Sequence, residues 1–363
     1  MSKGQENSWL AAHLYYNEPW EEFLTKAVEP YISSVMRAGV ADRYFFIRYW
    51  DRGPHIRLRF KGETSVIEQI FRPNLLEHFE NYFEDRPSKR TNPNYPLNFP
   101  EEFKWLPNNS VHFFNYEPEV ERYGGELGIQ IAEEHFQLSS DLALSNIKEK
   151  GFKWTYDDAL GAAIKLHLSF IFTMGLDLKS AVSFFRMIFY NWLPQSFRFY
   201  SKGLSKEEYQ KLSRETIDSF TRAYEIQKSA LLSFHQSLWE GLETKSEFEE
   251  ENINNWIAKN KDIKEKLDLA TQNKELTSKE LSYQLPFKDA QKIGPDAEML
   301  WNFYADYIHM TNNRLGILNK DEGYLGFLIM QSLKTLQSNQ NKSSEEIEAT
   351  AKNFEQIFLD ELF

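Results

Sequence analysis

The chain has 363 residues, with 42 Lys and Arg against 54 Asp and Glu, a formal net charge of −12 and no cysteine. The length allows one large domain or two smaller ones with a sizeable core, and 41% hydrophobic with 15% aromatic residues excludes a disordered or fibrous chain. The acidic balance argues against a protein that coats nucleic-acid backbone, and the lack of cysteine excludes disulfides, thiolate nucleophiles, iron–sulfur clusters and cysteine zinc sites. No basic-then-apolar signal opens the chain. No apolar run reaches the ~18 residues of a membrane helix; the nearest, Leu160 to Leu176, is broken by Lys165 and His167. The expectation is a soluble, cytoplasmic protein.

In chain order, four segments read as strands: Ser8 to Tyr16, Arg43 to Trp50, His55 to Phe60 and Ser110 to Tyr116, on aromatic and β-branched content and period-2 alternation. Asp51-Arg52-Gly53-Pro54 joins the second and third as a hairpin turn. Helical patterns fill Trp20 to Gly39 and Ser65 to Glu84. Arg86 to Asn109, rich in Pro and Asn, reads as a long surface loop. After about Asp157 the chain is almost wholly helical. Ser205 with Glu208 is a capping-box signal for a helix running towards Leu242, and Pro295 suits the first position of one running towards Arg314. Aromatic stripes such as Phe220, Tyr224 and Phe234 read as packing. Thr244 to Leu281, dense in Lys, Glu and Asn, is either a solvated helical excursion or a flexible arm, and the last forty residues read as amphipathic helix. The fold class is therefore α+β: a strand-rich part over 1–150, with a mixed or antiparallel sheet, and a mainly helical part over 151–363 with a charged excursion at 244–281, taken together as one domain.

No phosphate-binding P-loop, GxGxxG, HExxH, GxSxG or EF-hand loop is present, which weakens nucleotide, dinucleotide, zinc-protease, hydrolase and calcium readings. Three motifs carry chemistry. In His55-Ile56-Arg57-Leu58-Arg59-Phe60, alternation puts Ile56, Leu58 and Phe60 on one face and His55, Arg57 and Arg59 on the other. The two guanidiniums stand about 7 Å apart at the backbone. They either bind an anion bidentately or form a solvated, salt-bridged strand face. In Tyr116 to Ile129, the run Glu117-Pro118-Glu119 leads to Arg122-Tyr123 and the pair Gly124-Gly125, which permits positive φ and close backbone approach. Arg122 there either serves a site or pairs with Glu119 or Glu121. In Leu300 to Leu315, the residues Asn302, Asp306, His309 and Asn313 form one polar stripe on an otherwise apolar helix. Asp306 is placed to hold the His309 ring in one tautomer, and the alternative is a hydrogen-bonded core histidine.

These three motifs, in this order, resemble the C-terminal elimination domain of class I lanthipeptide dehydratases, a family that also includes stand-alone thiopeptide-type bacteriocin biosynthesis proteins. The resemblance runs from about Trp9 to the C-terminus and leaves no room for a large N-terminal glutamylation domain, so a free-standing version is expected. It implies a lyase that expels glutamate from glutamylated Ser or Thr of a ribosomal precursor peptide, leaving dehydroalanine or dehydrobutyrine. The family's paired arginines match Arg57 and Arg59, its RYGG arginine matches Arg122, and its histidine matches His309. Arg48, His55, Tyr123, Asn313 and Arg314 stand beside them as substrate-binding candidates. Where the family carries an Asp-Ser pair after RYGG, this chain has Leu138-Ser139-Ser140-Asp141. No cofactor or metal is implied. The implied partners are the glutamylated precursor and a glutamylating dehydratase subunit that uses glutamyl-tRNA. No direct nucleic-acid contact and no membrane span are expected, and a homodimer is compatible.

Elimination needs a base for the Cα proton, and cationic arginines beside His309 are expected to keep its ring neutral, while guanidiniums stabilise carboxylate and enolate charge. An exposed strand edge near Trp9 to Tyr16 is a candidate for strand addition by a leader peptide. Three other readings stand beside elimination. They are a pyridine synthase joining two dehydroalanines by a formal [4+2] cycloaddition, a non-catalytic precursor-binding subunit, and an unrelated helical protein.

Overall fold

The computed structural model describes residues 7–277, 281–284 and 293–340. These form two compact units. The first comprises the described residues up to Val120 together with Glu126–Ala159 and Asn313–Gly316; the second comprises Glu121–Gly125, the described part of Leu160–Asn312 and the described residues from Ile317 onward.

The first unit holds an antiparallel sheet of β1 (Asn7–Tyr15), β2 (Arg43–Tyr49), β3 (His55–Glu63) and β4 (Ser110–Phe114), in the order β2-β3-β1-β4. The hairpin joining β2 and β3 forms as the Asp51–Pro54 tetrad predicts, with Arg52 and Gly53 at φ 57° and 104°. One sheet face is apolar. Leu10, Leu14, Phe46, Ile56, Leu58 and Phe60 are all buried beside two helical stretches. The first, α1, runs through Glu21–Phe23, Leu24–Val28 and Glu29–Arg37. The second, α2, runs through Thr64–Val66, Ile67–Phe71 and Arg72–Asp85. Tyr31 and Phe71 both meet the Phe60 ring edge-on. Ala11 to Leu14 of β1 pair with β3 on one side and β4 on the other, while Asn7 to Leu10 pair with β3 alone. This corrects the expectation of an exposed β1 edge for Ala11 to Tyr15, because the long chain between β3 and β4 returns β4 to β1's outer side there.

A 25-residue helix, α3 (Glu126–Lys150), also belongs to this unit. The sequence reading placed no helix there. Its buried residues include Ile129, Ala132, Glu133, Phe136, Ser139, Ser140, Ala143 and Ile147, a stripe at helical spacing that Glu133, Ser139 and Ser140 keep from being apolar. The α3 residues Ser140 and Asp141 serve the sheet, while the Ser139 hydroxyl donates to the His135 carbonyl of its own helix. Ser140 Oγ accepts from the Phe46 N–H at 3.2 Å, and the Tyr44 hydroxyl bonds Asp141. Segment Arg86 to Asn109 is irregular apart from one turn, Glu101–Phe103, as expected.

The second unit is helical. Its elements are α4 (Tyr156–Thr173, shared with the first unit), α5 (Leu178–Ser196), α6 (Lys206–Glu243), α7 (Glu251–Gln272), α8 (Pro295–Leu315, whose last turn belongs to the first unit) and α9 (Asn319–Gln340). Both halves of the Ser205–Glu208 capping box form, and Pro295 opens α8 as predicted. Phe220 and Tyr224 pack on Phe327, as a packing stripe should, while Phe234 is 37% exposed. Helix α9 lies so close to α5 that a Cβ on Gly323 would stand 3.0 Å from the Leu193 amide nitrogen.

Neither alternative for Thr244 to Leu281 describes α7. Ile253, Trp256, Ile263 and Leu267 are buried on one side of it, and the Trp256 indole donates to the Leu166 carbonyl at 3.0 Å. Residues 278–280 of that stretch, and 341–363 of the expected C-terminal helix, lie outside the described residues. Trp256→Ala is expected to destabilise the protein by about 3–5 kcal/mol, since it removes a fully buried aromatic and leaves a cavity in its place. Thermal or denaturant unfolding monitored by circular dichroism checks this. Among the described residues, no helix is long and apolar enough to cross a membrane.

Candidate functional site

The sheet face opposite the apolar core carries the arginines. Register sets His13 of β1 opposite Arg57 and Ala11 opposite Arg59, while Ile47 and Phe45 of β2 flank the same two residues. Arg57, Arg59, Arg52, His13, Tyr15 and Glu117 line a cavity of about 480 Å³. The Arg59 guanidinium sits against the rings of Tyr116 (4.5 Å) and Phe45 (5.2 Å), and that of Arg57 over Tyr49 at 3.4 Å. Neither arginine forms an ion pair among the described residues, and Arg59 Nε has no hydrogen-bond partner there. Of the carboxylates nearby, Asp51 and Glu117 line the same cavity without an ion pair to either arginine, and Glu133 is engaged elsewhere. Glu133 faces Lys61 and Arg43, each at 3.9 Å, and is hydrogen-bonded to Tyr116. The salt-bridged alternative forms on this face at Lys61, and not at Arg57 or Arg59 among the described residues.

His55 explains how Arg57 is held. Its Nδ1 meets the Gly53 carbonyl at 2.8 Å, so it must carry the proton, and Nε2 accepts from Arg57 Nε at 3.2 Å. Burial, and then the Arg57 charge, hold the His55 ring down to about 4. His13, stacked on His55 at 4.9 Å, is pushed down to about 2 by burial and then by His55, Arg57 and Arg59. Burial also lowers Arg59 to about 10, which leaves it cationic at neutral pH. The positive charge therefore resides on the arginines, with neutral rings around it.

Arg48, Asn313 and Arg314, named as substrate-binding candidates, have partners within the first unit. The Asn313 side chain accepts from the Arg48 N–H (2.9 Å) and donates to the Arg48 carbonyl (2.8 Å), standing in for the missing neighbour strand on the outer edge of β2. Arg48 pairs with Glu21 at 2.8 Å and donates to the Arg314 carbonyl, and Arg314 donates to Ser140 Oγ at 2.9 Å. Arg48 and Arg314 are 4% and 0% exposed, so both are packing elements of the first unit.

The second unit holds Arg122 and His309. Gly124 and Gly125 adopt φ 89° and 101°, and a Cβ at Gly124 would stand 2.7 Å from the Phe303 ring, so this turn needs glycine. Arg122 pairs with Asp306, which is buried, and Tyr123 stacks on Tyr307 while only 2% exposed. Asp306 is therefore the partner of Arg122 and does not hold the His309 ring. That partner is Glu322, on α9. His309 Nδ1 meets Glu322 Oε1 at 2.7 Å, and Asn312 Nδ2 donates to Glu322 Oε2 at 3.0 Å. Asn312 Oδ1 in turn meets His167 Nε2 at 2.7 Å. Trp192 stacks on the His309 ring at 4.7 Å, and Nε2 of His309 has no hydrogen-bond partner among the described residues.

This corrects the expected electrostatics of His309. Burial and Arg122 work to lower it, but the charge and hydrogen bond of Glu322, helped by Asp306, outweigh them, and the ring titrates above its ordinary value. Buried His167, by contrast, is held down to about 4 by burial. Sequence reasoning missed Glu322, Trp192, His13 and Tyr116. Glu322 did leave a trace, since an acid stands in helical phase with Leu325 and Ile329, where an apolar residue belongs. Among the described residues, no group of three His, Asp or Glu could hold a metal ion.

The chain matches the family model described as "Lantibiotic biosynthesis dehydratase C-term" over residues 9–333. It is 33% identical over 128 residues to "Subtilin biosynthesis protein SpaB" of Bacillus subtilis, a match spanning 35% of this chain and 10% of that protein. Among solved structures it resembles TbtD, the pyridine synthase from thiomuracin biosynthesis (TM-score 0.67, 14% identity, 91% of this chain and 98% of that one). It also resembles the tRNA dependent lantibiotic dehydratase MibB from Microbispora sp. 107891 (TM-score 0.57, 15% identity, 94% of this chain and 29% of that one). At such identities the likeness is one of fold, and the family match agrees with the motif order around Arg57, Arg122 and His309. The chain belongs to the family of lantibiotic biosynthesis dehydratase C-terminal domains.

Proposed function

We propose that this protein is a glutamate eliminase, a lyase that expels glutamate from glutamylated Ser and Thr of a ribosomal precursor peptide. The observation that carries this reading is the arginine pair Arg57 and Arg59, held on aromatic rings in an open cavity without a carboxylate partner among the described residues. Cations kept unpaired at a cost in stability suit a ligand that brings its own carboxylate. A glutamyl ester brings one and releases another.

In this reading Nε2 of His309 takes the Cα proton, the electron pair forms the Cα=Cβ bond, and the Cβ–O bond breaks to release glutamate as a carboxylate. Arg57, Arg59 and Arg122 bind the glutamyl group and stabilise the charge that develops on the enolate and the leaving group. The partners are the glutamylated precursor and a separate glutamylating subunit that uses glutamyl-tRNA. The net charge of −12 agrees with leaving tRNA to that partner.

The test is a mass spectrum of a precursor carrying glutamyl-Ser or glutamyl-Thr esters, before and after the protein is added alone. Loss of glutamate with gain of dehydro residues is expected, and persistence of the esters overturns the reading. One observation favours a second reading, pyridine synthesis: the fold match to TbtD covers 98% of that chain. A peptide already containing dehydroalanines tests it by ring formation. Retention of Arg57, Arg59, Arg122 and His309 as a set favours elimination.

A further inference from the structure

The structure assigns Glu322 as the positioning residue of His309: braced by Asn312 and His167, it dictates which ring nitrogen is presented for proton transfer and supplies the negative charge behind it. The inference rests on the reading of His309 as the proton-handling group.

The hydrogen bonds run in one direction only. A carboxylate accepts and does not donate, so the His309 nitrogen 2.7 Å from Glu322 Oε1, Nδ1, must carry the proton, and Nε2 is left to accept one. Asn312 has its Nδ2 on Glu322 Oε2, which turns its Oδ1 to His167. His167 must then be protonated on Nε2, and as a neutral ring it holds that tautomer without adding charge. Glu322, Asn312 and His167 are each 1% exposed, so no member can turn away without stranding a buried polar group.

Position supports charge as well. Glu322 lies in the first turn of α9, where the helix N-terminus favours an anion. The close approach of α9 to α5 at Gly323 brings Trp192 of α5 flat against the ring on which Glu322 acts. The charged groups facing His309 are Glu322 from α9, Asp306 from its own helix and Arg122 from the Gly-Gly turn. Asp306 and Arg122 pair with one another, so Glu322 is the acid whose removal changes the balance at the ring.

The test is nuclear magnetic resonance of histidine-labelled protein, with the His309 signal assigned by its absence in His309→Gln. In the unsubstituted protein, above the His309 titration, the ring is expected to show a protonated Nδ1 and a bare Nε2; the reverse tautomer overturns the assignment without recourse to any variant. In Glu322→Gln, a near-isosteric neutral change, the His309 pKa is expected to fall by about one unit or more, and an unchanged titration in a folded variant overturns the proposal. The acid limb of the kcat/KM profile should move in the same direction. Because the resonance readout needs no substrate, a protein that passes it yet eliminates no glutamate refutes the proposed reaction and leaves the tautomer assignment standing.

Discussion

Replacing His309 with Ala is expected to lower the rate of glutamate elimination by about 100- to 10,000-fold, the contribution of a positioned general base. Only the neutral ring accepts the Cα proton. Burial and Arg122 lower its pKa, but Glu322 together with Asp306 outweighs them, so in the unsubstituted protein the rate should climb with pH through a value above the ordinary histidine pKa and then level off. His309→Ala should abolish that limb together with the rate. Single-turnover mass spectrometry of a glutamylated peptide across pH checks both. A variant that eliminates at the original rate, or a profile indifferent to the substitution, would remove His309 from the mechanism. Circular dichroism guards against trivial unfolding, since the change also leaves Glu322 with one hydrogen bond fewer.

The second large effect is expected at Arg59. Its guanidinium rests on Tyr116 and Phe45, its Nε is without a partner, and it forms no ion pair among the described residues. Arg59→Gln should cut kcat/KM for the glutamylated peptide by about 100-fold or more, as when a donor aimed at developing negative charge is lost. Stability should move the other way or not at all. The loss of the cation–π contact, roughly 0.5–2 kcal/mol, is offset by removal of a buried cation that forms no ion pair among the described residues. A Tm at or above that of the parent protein, together with collapsed activity, is the expected pattern. A variant that loses stability and activity in parallel would make Arg59 a packing residue. Arg57 is held more rigidly, by His55 and Tyr49, and its removal should resemble that of Arg59.

Much of this architecture was legible in the order of the residues. Alternation along His55 to Phe60 sorted Ile56, Leu58 and Phe60 from His55, Arg57 and Arg59, and the sheet keeps that division. The Asp51–Pro54 turn, the Ser205–Glu208 box, Pro295 and the Gly124–Gly125 pair act where they stand, because each depends on backbone geometry within a few residues. Helix α3 was not legible, because buried Glu133, Ser139 and Ser140 break the stripe that marks an amphipathic helix. Glu133 and Ser140 are polar because they serve neighbours distant in the chain: Lys61, Tyr116 and the edge of β2.

The same distinction separates the halves of the candidate site. The sequence by itself determined on which face of strand or helix Arg57, Arg59 and His309 stand, since period and rotamer direction are local properties. Only the tertiary structure decided their partners. Asp306, one turn from His309, was the acid that local spacing favoured, yet it pairs with Arg122, and Glu322, thirteen residues on and across a turn, takes the ring. Arg48 and Asn313, read as substrate contacts, close a sheet edge. Arg57 and Arg59, in a chain with 54 acidic residues, still form no ion pair among the described residues. Charge pairing is settled by which side chains come within a few ångströms in three dimensions and by what burial costs each, and neither quantity is carried by neighbours along the chain.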